Sequence, residues 1–231
     1  MLNAPLTDSG AAASGGAAPK KRGARRKRDA DQTRGNIIEA AMAEFADKGL
    51  AGARVDEIAR QTETSKHMIY YYFTSKEGLY RAALEHTYQN FRVAEQAIDY
   101  AALPPLAALE SLVGLSFDFH VANPLLVRII MGENMNRGEH IPHVADLPNR
   151  RAILDTMADI ANRGVASGDF RTGIDVLQLH MTISALCFYY VANRFSFGQI
   201  FGVDMESPNM VATRRAEIVA LVVGGCRARH G

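Results

Sequence analysis

The chain has 231 residues, 48% of them hydrophobic, and its 26 Lys/Arg nearly balance 25 Asp/Glu to a formal charge of +1. That suits a small head and a larger body around an ample core. It excludes a membrane span: about 18 uninterrupted apolar residues would be needed, and the most apolar stretch, 176–192, contains Gln178, His180 and Thr182. Two cysteines, Cys187 and Cys226, are too few and too far apart for a disulfide framework or a zinc site. The Ala/Gly/Ser-rich start turns basic without an apolar segment, so a cytoplasmic, bacterial-type protein is expected rather than a secreted one.

The near-zero net charge hides an asymmetry. Residues 20–34 hold eight Lys/Arg against Asp29 and Asp31, whereas from Gly35 onward acids outnumber bases, 22 to 18. Residues 1–30 are therefore expected to be a disordered basic arm, and a basic run beside a DNA-reading element can neutralise phosphates and release counterions. A first helix is predicted over 31–47, where Ile37, Ile38, Ala41, Met42 and Phe45 recur at helical spacing and Gly49 ends the run. A second, short helix follows from Val55, Ile58 and Ala59. Thr62-Glu63-Thr64 breaks the pattern, and Ser65 is placed to cap a third helix running from Lys66 to about Tyr72. This third helix turns Ile69 and Phe73 inward, and Lys66, His67, Met68, Tyr71 and Tyr72 outward. Two short helices with a tight turn between them, the second presenting polar and aromatic side chains, deliver a helix into the major groove.

A fourth helix starts after Thr74-Ser75, with Glu77 suited to its N-terminal dipole, and runs toward Tyr100. Pro104-Pro105 breaks the chain. Further helices are predicted over 106–121, 124–134, 145–167, 173–196 and 208–227, with 135–143 as a loop. No strand pattern longer than four residues appears. The fold expected is all-α with about nine helices: a three-helix DNA-binding domain over 31–78 and a helical bundle over 79–231.

The residues Ile37-Ile38-x-Ala40-Ala41, Phe45-x-x-x-Gly49, Val55-x-x-Ile58-Ala59, Ser65-Lys66, Tyr70-Tyr71-Tyr72-Phe73 and Ser75-Lys76-Glu77-x-Leu79 together resemble the DNA-binding domain of the TetR family of bacterial transcriptional regulators. The likeness covers roughly residues 32–80. It departs at His67, where many members carry Gly or Ala, and at Arg54, where Thr is usual. The resemblance implies a DNA-contacting set of Arg54, Ser65, Lys66, His67, Met68, Tyr71, Tyr72 and Lys76. Within it, Lys66, Tyr71, Tyr72 and Lys76 would meet phosphates while His67 and Met68 approach base edges. In the body, His120-x-x-Asn123-Pro124, Glu133-Asn134-x-x-Arg137-Gly138, Gly168-Asp169-Phe170-Arg171 and Asn193-Arg194-Phe195 resemble one widespread C-terminal subgroup of the same family. That likeness implies a homodimer and leaves the ligand open.

The stretch 173–196 is apolar nearly all round and so needs partners on every face. With 208–227 it is the expected dimer contact. The resemblance implies a ligand pocket between the fourth and eighth helices, and apolar walls holding a few polar groups are what such a pocket needs. Its candidates are His120, Arg128, Met131, Asn134, His180, Cys187, Phe188 and Tyr189, each of which taken singly reads more readily as core. His140-x-x-His143 with Glu139 invites a metal, but Pro142 separates the pair and no second ligand group completes a tetrahedron. No Gly-rich phosphate loop, nucleophile elbow or H-E-x-x-H occurs, so neither an enzyme nor a cofactor is expected. The sequence is read as a ligand-responsive regulator, most naturally a repressor, acting as a dimer on a pseudo-palindromic double-stranded operator and answering an unknown small molecule. Two rivals stay open: an effector-independent or activating regulator, and a helical metal-dependent enzyme using the His120/His140/His143 region.

Overall fold

The computed structural model describes residues 19–144 and 151–228. Ten α-helices occur among them: α1 (Pro19–Gly52), α2 (Val55–Gln61), α3 (Lys66–Phe73), α4 (Lys76–Gln96), α5 (Pro105–Ala122), α6 (Pro124–Met135), α7 (Ala152–Ser167), α8 (Val176–Ala192), α9 (Arg194–Phe201) and α10 (Pro208–Cys226). Two 3-10 turns, Tyr100–Ala102 and Ile141–His143, complete the described elements, and there is no β-strand among the described residues. None of these helices alone is long and apolar enough to cross a membrane.

The chain divides into two compact units, Met1–Asn36 and Ile37–Gly231. In the first, the described residues belong to the opening turns of α1, where Thr33 donates to the Asp29 carbonyl and Gln32 donates to Asn36. The helix starts at Pro19 and not near residue 31. Lys, Arg and Ala are good helix formers and proline fits a first helical turn, so residues 19–30 are helical where a disordered arm was expected. Residues 1–18 of that arm lie outside the described residues, as do residues 145–150 of the helix expected over 145–167.

The second unit holds two apolar cores. One gathers Ile37, Ile38, Ala41, Phe45, Ile58, Ile69, Phe73, Leu79, Tyr80, Ala82, Ala83 and Leu84, and it also takes in Ile129 from α6 and Val144. The other lies among α5, α7, α8 and α10 around Leu112, Phe117, Ile160, Ile183 and Ile218. α4 joins them without a linker: residues 79–84 complete the first core, and the later turns run alongside the body. It ends at Gln96, short of the Tyr100 expected, and Asp99 caps the following 3-10 turn.

The tenth helix arises because the single helix expected over 173–196 is broken at Asn193. Its backbone leaves the α region (φ −106°, ψ 5°), and its side chain donates to the Tyr189 carbonyl one turn back. Asparagine competes with the helix for such backbone groups, which suits it to ends rather than interiors.

Candidate nucleic-acid interface and ligand cavity

The α2–turn–α3 unit is built by a few local devices. Ile58, buried in α2, and Ile69 and Phe73, buried in α3, press both helices on the core below. The turn between them passes through Glu63 at φ 51°, and Thr64 N–H returns to the Ala59 carbonyl at 3.0 Å. Ser65 caps α3, its hydroxyl accepting the Met68 N–H at 3.1 Å. Its role in the structure is therefore to start the helix. At the far end, a Cβ added to Gly78 would overlap the Phe73 carbonyl, so glycine is what lets α4 begin so close under α3.

The outward face of α3 exposes Lys66, His67 and Tyr71, with Met68 and Tyr72 half-buried beside them. Tyr71 is 74% exposed, and its ring meets Tyr72 edge-on at 5.5 Å. Lys66 reaches Asp56 of α2 at 3.0 Å, and Lys76, at the start of α4, donates to the Ala51 carbonyl at 3.1 Å. Exposed pairs of this kind are worth about 0–1 kcal/mol, so either lysine can exchange its partner for a phosphate at little cost. Arg54 precedes α2 with its side chain exposed; its N–H is held at 2.9 Å by Glu44, a carboxylate only 4% exposed that also binds Lys48 at 2.9 Å. Sequence reasoning missed Glu44, although it shares a helical face with Ile37 and Ala41, where an acid must have a buried partner. On the outer side of α2, Arg60 hydrogen-bonds Glu57 and holds that carboxyl down at about 2. With Asp56 on Lys66 and Glu57 on Arg60, both acids of α2 are locally neutralised beside the face that would meet phosphate.

The body contains a cavity of about 560 Å³ between α4, α5, α6, α7 and α8. Its walls follow helical ladders: Thr87, Phe91 and Glu95 on α4, Leu126, Ile130 and Asn134 on α6, and His180, Ser184 and Phe188 on α8. Phe91 lies 4.7 Å from Phe119 and 5.6 Å from His120, whose ring is in turn 6.1 Å from Phe188. His120 is buried and its Nδ1 sits 2.6 Å from the Ser116 carbonyl. Burial holds the pKa of His120 and that of His180 below the usual histidine value, so both rings are neutral. Burial pushes the Glu95 carboxyl up to about 7, with Arg92 pulling it partly back. Thr87, 1% exposed, has a buried hydroxyl without a partner, which ordinarily costs about 1–3 kcal/mol.

Of the residues put forward for a pocket, the cavity brings together His120, Asn134, His180 and Phe188. Four others lie elsewhere. Arg128 points out from α6 toward Asp47 of α1, 3.7 Å away, and Met131 is exposed. Cys187 is wholly buried in the body core, its thiol pushed up to about 12 by desolvation, and Tyr189 is 52% exposed. The physical reason is helical phase. Each residue turns the helix by roughly 100°, so the neighbours of Phe188 face away from it. Thr87, Phe91, Arg92 and Glu95 were not anticipated; the fourth-helix pattern shows them only as the polar-aromatic continuation of a helix whose first turns are core. His140 proves committed elsewhere: buried Glu133 accepts its N–H at 2.6 Å and lies 3.2 Å from its Nδ1. No group of three or more metal-ligating side chains occurs among the described residues.

α8, α9 and α10 also carry exposed apolar side chains. Leu177, Met181 and Tyr189 are exposed on α8, Ile200 and Phe201 project from α9, and Leu221 from α10 is 62% exposed.

Residues 37–83 match the model for the bacterial regulatory proteins of the tetR family, and residues 105–222 match the tetracyclin repressor-like C-terminal domain. The HTH-type transcriptional repressor NicS of Pseudomonas putida is 33% identical over 206 residues, covering 87% of this chain and 96% of that protein. Among solved structures, a bacterial regulatory protein in the tetR family from Rhodococcus RHA1 aligns with a TM-score of 0.67 at 23% identity, covering 86% of this chain and 98% of that one. The ketosteroid transcriptional regulator KstR2 of Mycobacterium tuberculosis aligns with a TM-score of 0.65, again at 23% identity, covering 85% and 95%. With both halves of the chain matched and the α2–turn–α3 unit in place, this protein belongs to the TetR family of DNA-binding transcriptional regulators.

Proposed function

We propose that the protein is a homodimeric repressor that binds a pseudo-palindromic operator through α3 and leaves it when a small molecule fills the α4–α8 cavity. The observation that carries this reading is the double duty of α4 and α6. On α4, Leu79–Leu84 hold the core under the recognition helix and Thr87–Glu95 wall the cavity, with no break between them. On α6, Leu126, Ile130 and Asn134 face the cavity while Ile129 packs into the head core and Arg128 reaches Asp47. A ligand that displaces either helix therefore shifts the seating of α3.

His67 and Met68 read base edges, and Lys66, Tyr71, Tyr72 and Lys76 grip phosphate, with Arg54 beside them. The basic run ahead of the head adds sequence-independent affinity. Exposed apolar side chains of α8 and Leu221 of α10 meet their counterparts in a second chain, which brings two heads to two half-sites. Repression is favoured over activation because NicS, similar over most of both chains, is a transcriptional repressor.

The test is operator titration with and without a cavity ligand. An effector that weakens DNA binding must itself bind the DNA-bound dimer less tightly by the same factor, and such coupling is usually about 1–3 kcal/mol. A ligand that fills the cavity and leaves operator affinity unchanged contradicts induction.

A further inference from the structure

Among the polar groups that line the cavity, His120 is the one whose role as an acceptor the geometry fixes. A backbone carbonyl can only accept, so the 2.6 Å contact of Nδ1 with Ser116 places the ring's hydrogen on Nδ1. The ring is neutral, as burial dictates, so Nε2 carries a lone pair and no hydrogen. No hydrogen bond among the described residues uses Nε2. Phe91, Phe119 and Phe188 surround the same ring, so whatever approaches this end passes between aromatic faces and edges. Asn134 lines the same cavity; one of its two amide hydrogens goes to the Ile130 carbonyl at 2.8 Å, and its oxygen is able to accept.

Charge narrows the choice. Arg92 and Glu95 stand three residues apart on α4 and both line the cavity. Arg92 acts on Glu95 as an opposite charge on the same wall, so the pair offers no uncompensated charge of one sign to draw an ion in.

Resting on the reading of this cavity as the effector site, we infer that its effector is an uncharged planar aromatic molecule with an O–H or N–H donor, such as a phenol or an N–H heterocycle, given to Nε2 of His120. A molecule of the same shape without the donor leaves a desolvated acceptor unpaired, and a site of this kind discriminates against it.

The experiment uses the full-length protein and two probes of nearly equal shape, 2-naphthol and its methyl ether 2-methoxynaphthalene. Affinity is measured by calorimetry and operator affinity by titration in the presence of each probe. The expected result is tighter binding of 2-naphthol by about tenfold, the order a single hydrogen bond at a desolvated acceptor provides. His120→Phe keeps a ring among the three phenylalanines and should bring the ratio to about one. A measurement on the unaltered protein guards against a variant that misfolds: the ¹⁵N resonance of His120 Nε2 should move on adding 2-naphthol and stay in place with the ether. Equal affinity for the two probes, no binding of either, or an unmoved Nε2 resonance overturns the inference. The regulator reading fails separately. Donor-selective binding with unchanged operator affinity contradicts release by a ligand while upholding the donor, and release of operator by both probes alike upholds release while overturning the donor.

Discussion

The DNA-reading face and the ligand cavity are built in opposite ways. The first is local: α2, the turn and α3 lie within residues 55–73, and their side chains are placed by one cap, one turn and a handful of buried contacts. The second is assembled from five helices whose wall residues extend from Thr87 to Phe188. A local site announces itself in a short string of residues and tolerates change elsewhere in the chain. An assembled site exists only while the whole body is packed, and it feels any shift of the helices that form it. In this protein α4 belongs to both, so the two sites are expected to be mechanically joined and chemically independent.

The largest expected effect tests that joining. Ile69→Ala removes a fully buried side chain from the core under α3 and should destabilise the protein by about 2–5 kcal/mol. Because α4 and Ile129 tie this core to the body, thermal unfolding should shift as one transition. Two separate transitions, with only the lower one moved, would mean that head and body are independent and that α4 is a mere tether. Next in size is the dimer. Leu221→Glu puts a charge on the exposed apolar face of α10 and should cut operator affinity by about 100-fold or more along with dimerisation, since one half-site alone offers few contacts. Sedimentation of a stable monomer that still binds operator tightly would refute that use of the face.

How far the residues could be read in advance follows the same division. Ser65, Ile69, Phe73 and the outward Lys66, His67 and Tyr71 could be placed correctly because a helix face is a periodicity and a cap is a residue type at one offset. The cavity needed contacts across long sequence separations. His120, Asn134, His180 and Phe188 line it, whereas Arg128, Met131, Cys187 and Tyr189 have the same chemistry but the wrong helical phase. The i, i+4, i+8 ladders at 126, 130 and 134 and at 180, 184 and 188 were the available signal. The break at Asn193 and the early start at Pro19 were hidden because a single asparagine and a basic run are each compatible with more than one backbone state.

Chemical independence is sharpened by pH. The raised pKa of Glu95 means that the folded protein holds this proton more tightly than the unfolded chain does. Its unfavourable contribution is absent below about pH 4.5 and grows as pH rises through about 7. Glu95→Gln should therefore stabilise the protein at pH 8 by about 1–2 kcal/mol, allowing for solvent reaching the cavity, and the gain should vanish in acid. The lowered pKa values of His120 and His180 act in the other direction: the stability of their neutral forms is present above the unfolded histidine value and is lost as pH falls. Melting curves across pH 4–8 for the unaltered protein and Glu95→Gln check both signs, and a variant whose gain does not depend on pH would deny Glu95 this role.

The smallest effect concerns the phosphate grip. Lys66→Ala should weaken binding to all sequences alike and make the slope of log affinity against log salt shallower by about 0.9. It should change stability by less than about 1 kcal/mol, since it gives up only an exposed pair with Asp56. An unchanged slope would remove Lys66 from the phosphate contacts.

The central claim, that the outward face of α3 reads operator sequence in a dimer, is tested most directly by selecting bound DNA from a random-sequence pool with the full-length protein and its His67→Ala variant in parallel. The expected result is a two-fold symmetric motif with half-sites about one helical turn or a multiple of it apart, and a changed preference at the same position in each half-site for the variant. A pool without symmetric enrichment, or the same motif from both proteins, would contradict it.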